Sequence, residues 1–203
     1  MASVIWEIRL PFPLAGKCRA GEQALSSLTD ESLMTRYRDG DADAFEELYR
    51  RHRGGLHRFV RRMIPSQVDE VFQEVWLAVV AGKARYLPSA RFRTYLFAIA
   101  HHRCAARLRI MYRDTTGEVQ DELLAIDDSA GPLEVVVNAE LGRALEDALA
   151  QLPPLQREAF LMQAEGGLSL EEIAEITGTG RETVKSRLRY ALRKLRGALE
   201  SWQ

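Results

Sequence analysis

The stretch from Leu168 to Leu195 constrains the fold more tightly than any other part of the chain. Ser169 is followed three residues later by Glu172, the spacing of a capping box in which each side chain satisfies the other residue's free backbone donor. Ile173 and Ile176 then face inward. Ala174 is small enough for a second helix to cross closely, and Gly178 suits a left-handed turn. In the helix that follows, Val184, Leu188, Ala191, Leu192 and Leu195 share one face, and Glu182, Lys185, Ser186, Arg189, Arg193 and Arg196 share the other. An apolar back and a basic front are what a recognition helix needs to dock on its partner and enter the major groove. Lys and Arg reach guanine edges or phosphates, and Ser bonds either. A solvated basic helix in a small bundle has the same charge; capping box, alanine, glycine and valine together favour DNA binding.

The remaining pattern is also helical. Thr29, Asp30 or Ser32 can cap a helix carrying Leu33, Met34 and Tyr37. After the Asp39-Gly40-Asp41 turn, Phe45, Leu48, Tyr49, Leu56, Phe59, Val60 and Met63 define an amphipathic helix, with a bend expected at Gly54-Gly55. A third helix, from about Val68 to Val80, carries Val71, Val75, Leu77 and Val79 on its apolar side. Residues 82–90 read as a loop, and a fourth helix runs from Phe92 to about Tyr112. Helices resume near Leu133, Pro153-Pro154 opens another, and two short helices close the chain. With no alternating strand pattern, the fold class is all-α: two small helical modules joined by an acidic linker, the second ending in the helix-turn-helix. The boundaries are an extension at 1–27, a first module at 28–112, a linker at 113–137 and a second module at 138–203.

The charge is segregated along these boundaries. The chain has 28 basic and 29 acidic side chains, a net charge of −1 that by itself argues against a uniformly basic DNA coat. Residues 28–110 nevertheless hold fifteen bases against ten acids, and 181–197 hold seven against one. Residues 111–140 hold one base against eight acids, so the linker masks two basic regions and is expected to compete for them. Two cysteines, Cys18 and Cys104, give neither a disulfide framework nor a zinc spacing, and a reducing, cytoplasmic setting is expected. No apolar run approaches the ~18 residues of a spanning helix, so no direct membrane insertion is expected.

The first module offers two surfaces. Asp69, Glu70, Gln73 and Glu74, with Trp76 beside them, form an acidic and aromatic face suited to a basic partner helix, Trp76 being either an interface anchor or core. Between Tyr86 and Arg109, aromatic residues alternate with Arg91, Arg93, Arg103, Arg107 and Arg109. Unpaired bases are held by stacking plus a cationic track, and the loop from Leu87 to Arg91 can hold a flipped base. His101, His102 and Cys104 suggest a metal-dependent hydrolase, but helix neighbours point about 100° apart. No phosphate loop, nucleophile elbow or triad is present. The chain is read as a non-enzyme without cofactors.

Taken together, the two modules resemble bacterial sigma factors of the short extracytoplasmic-function type. Thr183-Val184-Lys185-Ser186-Arg187-Leu188 looks like the family's helix for the −35 promoter element, and Pro153 to Leu161 resembles the segment before it. Gln73-Glu74-Val75-Trp76 resembles the helix that grips RNA polymerase, and Thr94 to Ala100 the −10 melting segment. Tyr95 stands where the family usually has Trp, and His102 where a base-reading Asn is common. The resemblance implies polymerase core, promoter DNA and an anti-sigma factor as partners. It assigns Asp69, Glu70, Gln73, Glu74 and Trp76 to polymerase binding. It assigns Ser89, Arg91, Arg93, Thr94, Tyr95, His102 and Arg103 to the −10 element, and Arg181, Thr183, Lys185, Ser186, Arg189 and Tyr190 to the −35 element. The alternative is a two-domain helix-turn-helix regulator that does not dock on polymerase.

Overall fold

The computed structural model describes residues 25–88, 90–113 and 139–200. The extension, Ser89 and nearly all of the acidic linker lie outside the described residues. Among the described residues there are helices and turns and no strand.

Helix α1 spans Asp30–Arg38, capped by the Thr29 hydroxyl, which accepts from the Ser32 N–H at 3.2 Å. Helix α2 spans Ala42–Met63, capped by Asp41. It runs unbroken through Gly54-Gly55, where the glycine pair predicts a bend. The glycine there serves close approach instead: a Cβ on Gly55 would lie 2.8 Å from the Glu165 carbonyl oxygen. Helix α3 covers Val68–Gly82, and the segment expected to be a plain loop begins with a 3₁₀ turn at Lys83–Arg85. Helix α4 covers Phe92–Arg113, α5 Ala139–Ala150, α6 Pro154–Gly166, α7 Leu170–Thr177 and α8 Arg181–Glu200.

The anticipated capping box is present at α7: Ser169 Oγ accepts from the Glu172 N–H at 3.2 Å, and the Ser169 N–H donates to Glu172 Oε2 at 2.8 Å. Gly178 ends α7 with φ +65°, as the turn requires. The last helix is not short. It runs for 20 residues, and its apolar face, Val184, Leu188, Ala191 and Leu195, is buried because α5 and α6 as well as α7 pack along it.

The two halves meet. Helix α2 lies against α6, and α4 against α7 and α6, so a continuous apolar core runs from Leu33 to Leu195. Phe97 of α4 packs edge-on to Phe59 of α2, ring centroids 5.3 Å apart, and closely faces Gly166 at the end of α6.

Candidate nucleic-acid interface

Helix α8 is held from behind and open in front. Val184, Leu188 and Ala191 seat it on the bundle, which leaves Lys185 exposed and Thr183, Ser186, Arg189 and Tyr190 half-buried at the edges of the same surface. The Arg193 guanidinium lies 5.0 Å from the Tyr190 ring centroid, a cation–π contact that orients both. Arg181, at the start of α8, is already engaged: its Nε donates to Glu171 of α7 at 2.5 Å and its Nη1 to Glu182 at 3.2 Å. The bond from Arg181 holds the Glu171 carboxyl below its ordinary value.

Helix α4 presents a more divided picture. Arg91, Arg93, His102 and Arg103 are exposed, Tyr95 is half-buried, and Leu87 in the preceding loop is 71% exposed. Phe92 and Phe97 belong to the core. Thr94 departs from its expected role on an open reading surface. It is 8% exposed, and its hydroxyl donates to Glu172 Oε1 at 2.6 Å. Thus the carboxylate that caps α7 also ties down the first turn of α4. Burial opposes ionisation of Glu172, but the bonds from the Ser169 backbone and the Thr94 hydroxyl prevail and lower its pKa.

On α3, Asp69, Glu70 and Gln73 are exposed. Glu74 pairs with Arg107 at 2.5 Å and, more distantly, with Arg103 at 3.9 Å, so part of the acidic face is neutralised by α4. Trp76 is not an exposed anchor. It is 6% exposed, 4.9 Å from Tyr49 and 5.7 Å from Phe45 between ring centroids, and supports the face from inside. Leu77, expected inward, is 52% exposed one turn beyond Gln73. The signal that marks it is its i+4 relation to Gln73, which places both on one side of the helix.

Acids of the second half meet arginines of the first. Glu165 bonds Arg58 at 2.7 Å and also Arg62, and Glu146 bonds Arg62 and Arg61, each at 2.9 Å. The bond from Arg62 lowers the Glu146 pKa. His101 Nδ1 lies 2.6 Å from Glu158. Nothing in the local pattern of either segment marks these partners, because each pair joins residues far apart in the chain. The hydrolase set does not converge: His101 is engaged by Glu158, His102 is exposed, and Cys104 is buried, its thiol pushed up to about 12 by burial with help from Glu158.

Two families match the two halves: Sigma-70 region 2 over residues 48–110 and Sigma-70, region 4 over residues 142–195. The RNA polymerase sigma factor CarQ of Myxococcus xanthus is 34% identical over 168 residues, covering 82% of this chain and 95% of CarQ. The chain is an extracytoplasmic-function sigma factor. A second relative, the ECF sigma factor SigM of Mycobacterium tuberculosis, is 29% identical and covers 90% of this chain and 91% of its own. Among solved structures, CnrH in complex with the cytosolic domain of CnrY shares the fold at TM-score 0.58 and 22% identity, over 85% of this chain and 97% of CnrH. The sigma factor RpoE of Bartonella quintana, in complex with the anti-sigma factor NepR, does so at 0.60 and 21%, over 77% and 96%. As a sigma factor, the chain directs polymerase core to promoters, and the regulator that never docks on polymerase is not favoured. Among the described residues, no helix is long and apolar enough to cross a membrane.

Proposed function

We propose that this sigma factor works by binding alone, with each half holding a different part of the initiation complex. Helix α3 meets polymerase core through Asp69, Glu70 and Gln73, backed by Glu74 and Trp76. The loop and first turns of α4 take the −10 strand, with Ser89, Arg91, Arg93, Thr94 and Tyr95 near a flipped base and His102 and Arg103 further along. Helix α8 reads the −35 duplex through Lys185, Ser186 and Arg189, with Arg181, Thr183 and Tyr190 at its margins. The observation that carries the reading is α8 itself: an exposed basic front on a fully packed helix-turn-helix, within a match to Sigma-70, region 4.

Distance requires the halves to part. About 25 base pairs separate the two promoter elements, roughly 85 Å of duplex. A compact chain of this length spans only about 40 Å. The acidic linker at 113–137 is where the separation occurs, so 28–112 and 138–203 act as modules when polymerase is bound. In this reading the packed form described above is the form off DNA, and an anti-sigma factor holds the chain there. The complex of the similarly folded RpoE with NepR supports that partner class.

Run-off transcription with core polymerase on a promoter library tests the reading. Initiation at a defined promoter class is expected only when the protein is added. No initiation from any promoter would sink the proposal.

A further inference from the structure

Helix α4 starts under poor electrostatics. Its first turn, Phe92-Arg93-Thr94-Tyr95, contains no acid, and Arg91 precedes it. A helix N-terminus already carries partial positive charge and N–H groups without intrahelical partners. Two arginines add to that charge, and neither can cap, because the guanidinium has no acceptor.

The acceptor comes from another helix. Glu31 of α1 takes a hydrogen bond from the Phe92 N–H at 3.0 Å, across 61 positions of sequence. Its own helix is firmly held at that end. The Thr35 hydroxyl bonds the Glu31 carbonyl at 2.9 Å. The neighbouring Asp30 pairs with Arg51 at 2.9 Å and His52 at 2.7 Å. Arg51 also donates to the carbonyls of Leu25, Ser26 and Leu28. His52 in turn lies against Phe92, ring centroids 5.3 Å apart. The start of α1, the middle of α2 and the start of α4 therefore form one bonded unit beneath the exposed Arg91 and Arg93.

We propose that Glu31 is a positioning residue for promoter reading. Its carboxylate sets where α4 begins by taking the free N–H of its first turn, and so fixes the place from which the exposed Arg91 and Arg93 meet DNA. This rests on the assignment of α4 to the −10 element, and the test separates the two.

The measurement is open-complex formation by the full chain with core polymerase, on a promoter selected from the library and on the same promoter premelted at −10. Glu31→Ala should lower it roughly fivefold on both templates, the scale of one missing cap. Glu31→Gln, which keeps an acceptor, should recover more than half of that loss. Affinity for core polymerase should not change. An equal fall in core affinity would mean a general folding defect and overturn the positioning role. Undiminished activity of Glu31→Ala, with Arg91→Ala/Arg93→Ala impaired, would overturn it while leaving the −10 assignment intact. Full activity of that double variant would remove the −10 assignment and the inference with it.

Discussion

The two helices assigned to DNA in the proposed function are built on opposite plans. Helix α8 is complete within its own module: its apolar side is buried by α5, α6 and α7, and Lys185 stands exposed on the other side. Helix α4 depends on both halves. Its first amide is capped by α1, Thr94 is tied to α7, and Phe97 packs beside the end of α6. A reading surface made by one amphipathic helix is ready whenever that helix folds. One assembled from tertiary contacts can be withheld by those contacts, and α4 is partly withheld here.

The largest expected effect falls on the self-contained helix. Lys185→Ala combined with Arg189→Ala should cut promoter-specific transcription by roughly a hundredfold, since a good side-chain pairing to a base edge is worth about 1–3 kcal/mol. Core binding should be spared, since the proposed polymerase contacts belong to α3 and these residues to α8. The −35 base preference should weaken in the same variant; unchanged preference would show that α8 is not the reader.

The second test targets the withheld surface. Glu165→Ala leaves Arg58 and Arg62 without that carboxylate, Arg62 being largely buried at the interface. Removing one partner of such a pair is strongly destabilising, and because the pair spans the two halves the expected response is their separation. Binding of a single-stranded −10 oligonucleotide should rise about tenfold or more, a tenfold rise corresponding to ~1.4 kcal/mol of weakened interface. Affinity for a −35 duplex should stay level. An equal rise at both sites would erase the contrast between α4 and α8.

That contrast also explains what could be foreseen. The α7–α8 unit is legible down to its capping residue, because Ser169, Glu172, Gly178 and the valine–leucine spacing are local signals with local causes. The start of α4 at Phe92 is legible for similar reasons, and the cap of α1 only to within Thr29, Asp30 or Ser32, of which the structure uses Thr29. Trp76 and Leu77 are hard to place on α3, an apolar helix whose buried side is chosen by its neighbours. Thr94 reads as part of an open surface because nothing near it in sequence announces Glu172. Gly54-Gly55 suggests a bend, but the second half of the chain uses Gly55 for contact.

Acid should weaken the first half and the contact between the halves. Burial raises the Asp30 pKa, but hydrogen bonds and charge from His52 and Arg51 outweigh it and hold the carboxyl at about 2. A carboxyl lowered on folding contributes stability above its unfolded value, and that contribution is lost as pH falls through the folded one. Asp30 should therefore contribute about 1–2 kcal/mol near neutrality, lost between about pH 4 and pH 2. Glu146 and Glu172, also lowered, act in the same direction, so the interface should loosen as they are protonated. Melting of the wild type and Asp30→Asn across this range is the measurement. The wild type should lose stability more steeply, and parallel curves would contradict the assignment.

The smallest effect isolates the interface most cleanly. Gly167 and Gly178 end α6 and α7 with nearly the same backbone, φ +61° and +65°. An alanine at either carries a similar left-handed strain, about 1 kcal/mol. Their surroundings differ: a Cβ on Gly178 meets nothing within 4 Å, whereas one on Gly167 would lie 2.7 Å from Nη1 of Arg93. Gly178→Ala should thus lower the melting temperature by strain alone. Gly167→Ala should lower it by the same strain and also displace Arg93 from the second module. The difference between the two melting temperatures measures what the Arg93 contact contributes to holding α4 in place, and it should vanish in an Arg93→Ala background. If Gly167→Ala and Gly178→Ala melt together in the wild-type background, Arg93 merely rests on the turn, and the restraint on α4 lies with Thr94 and Glu172.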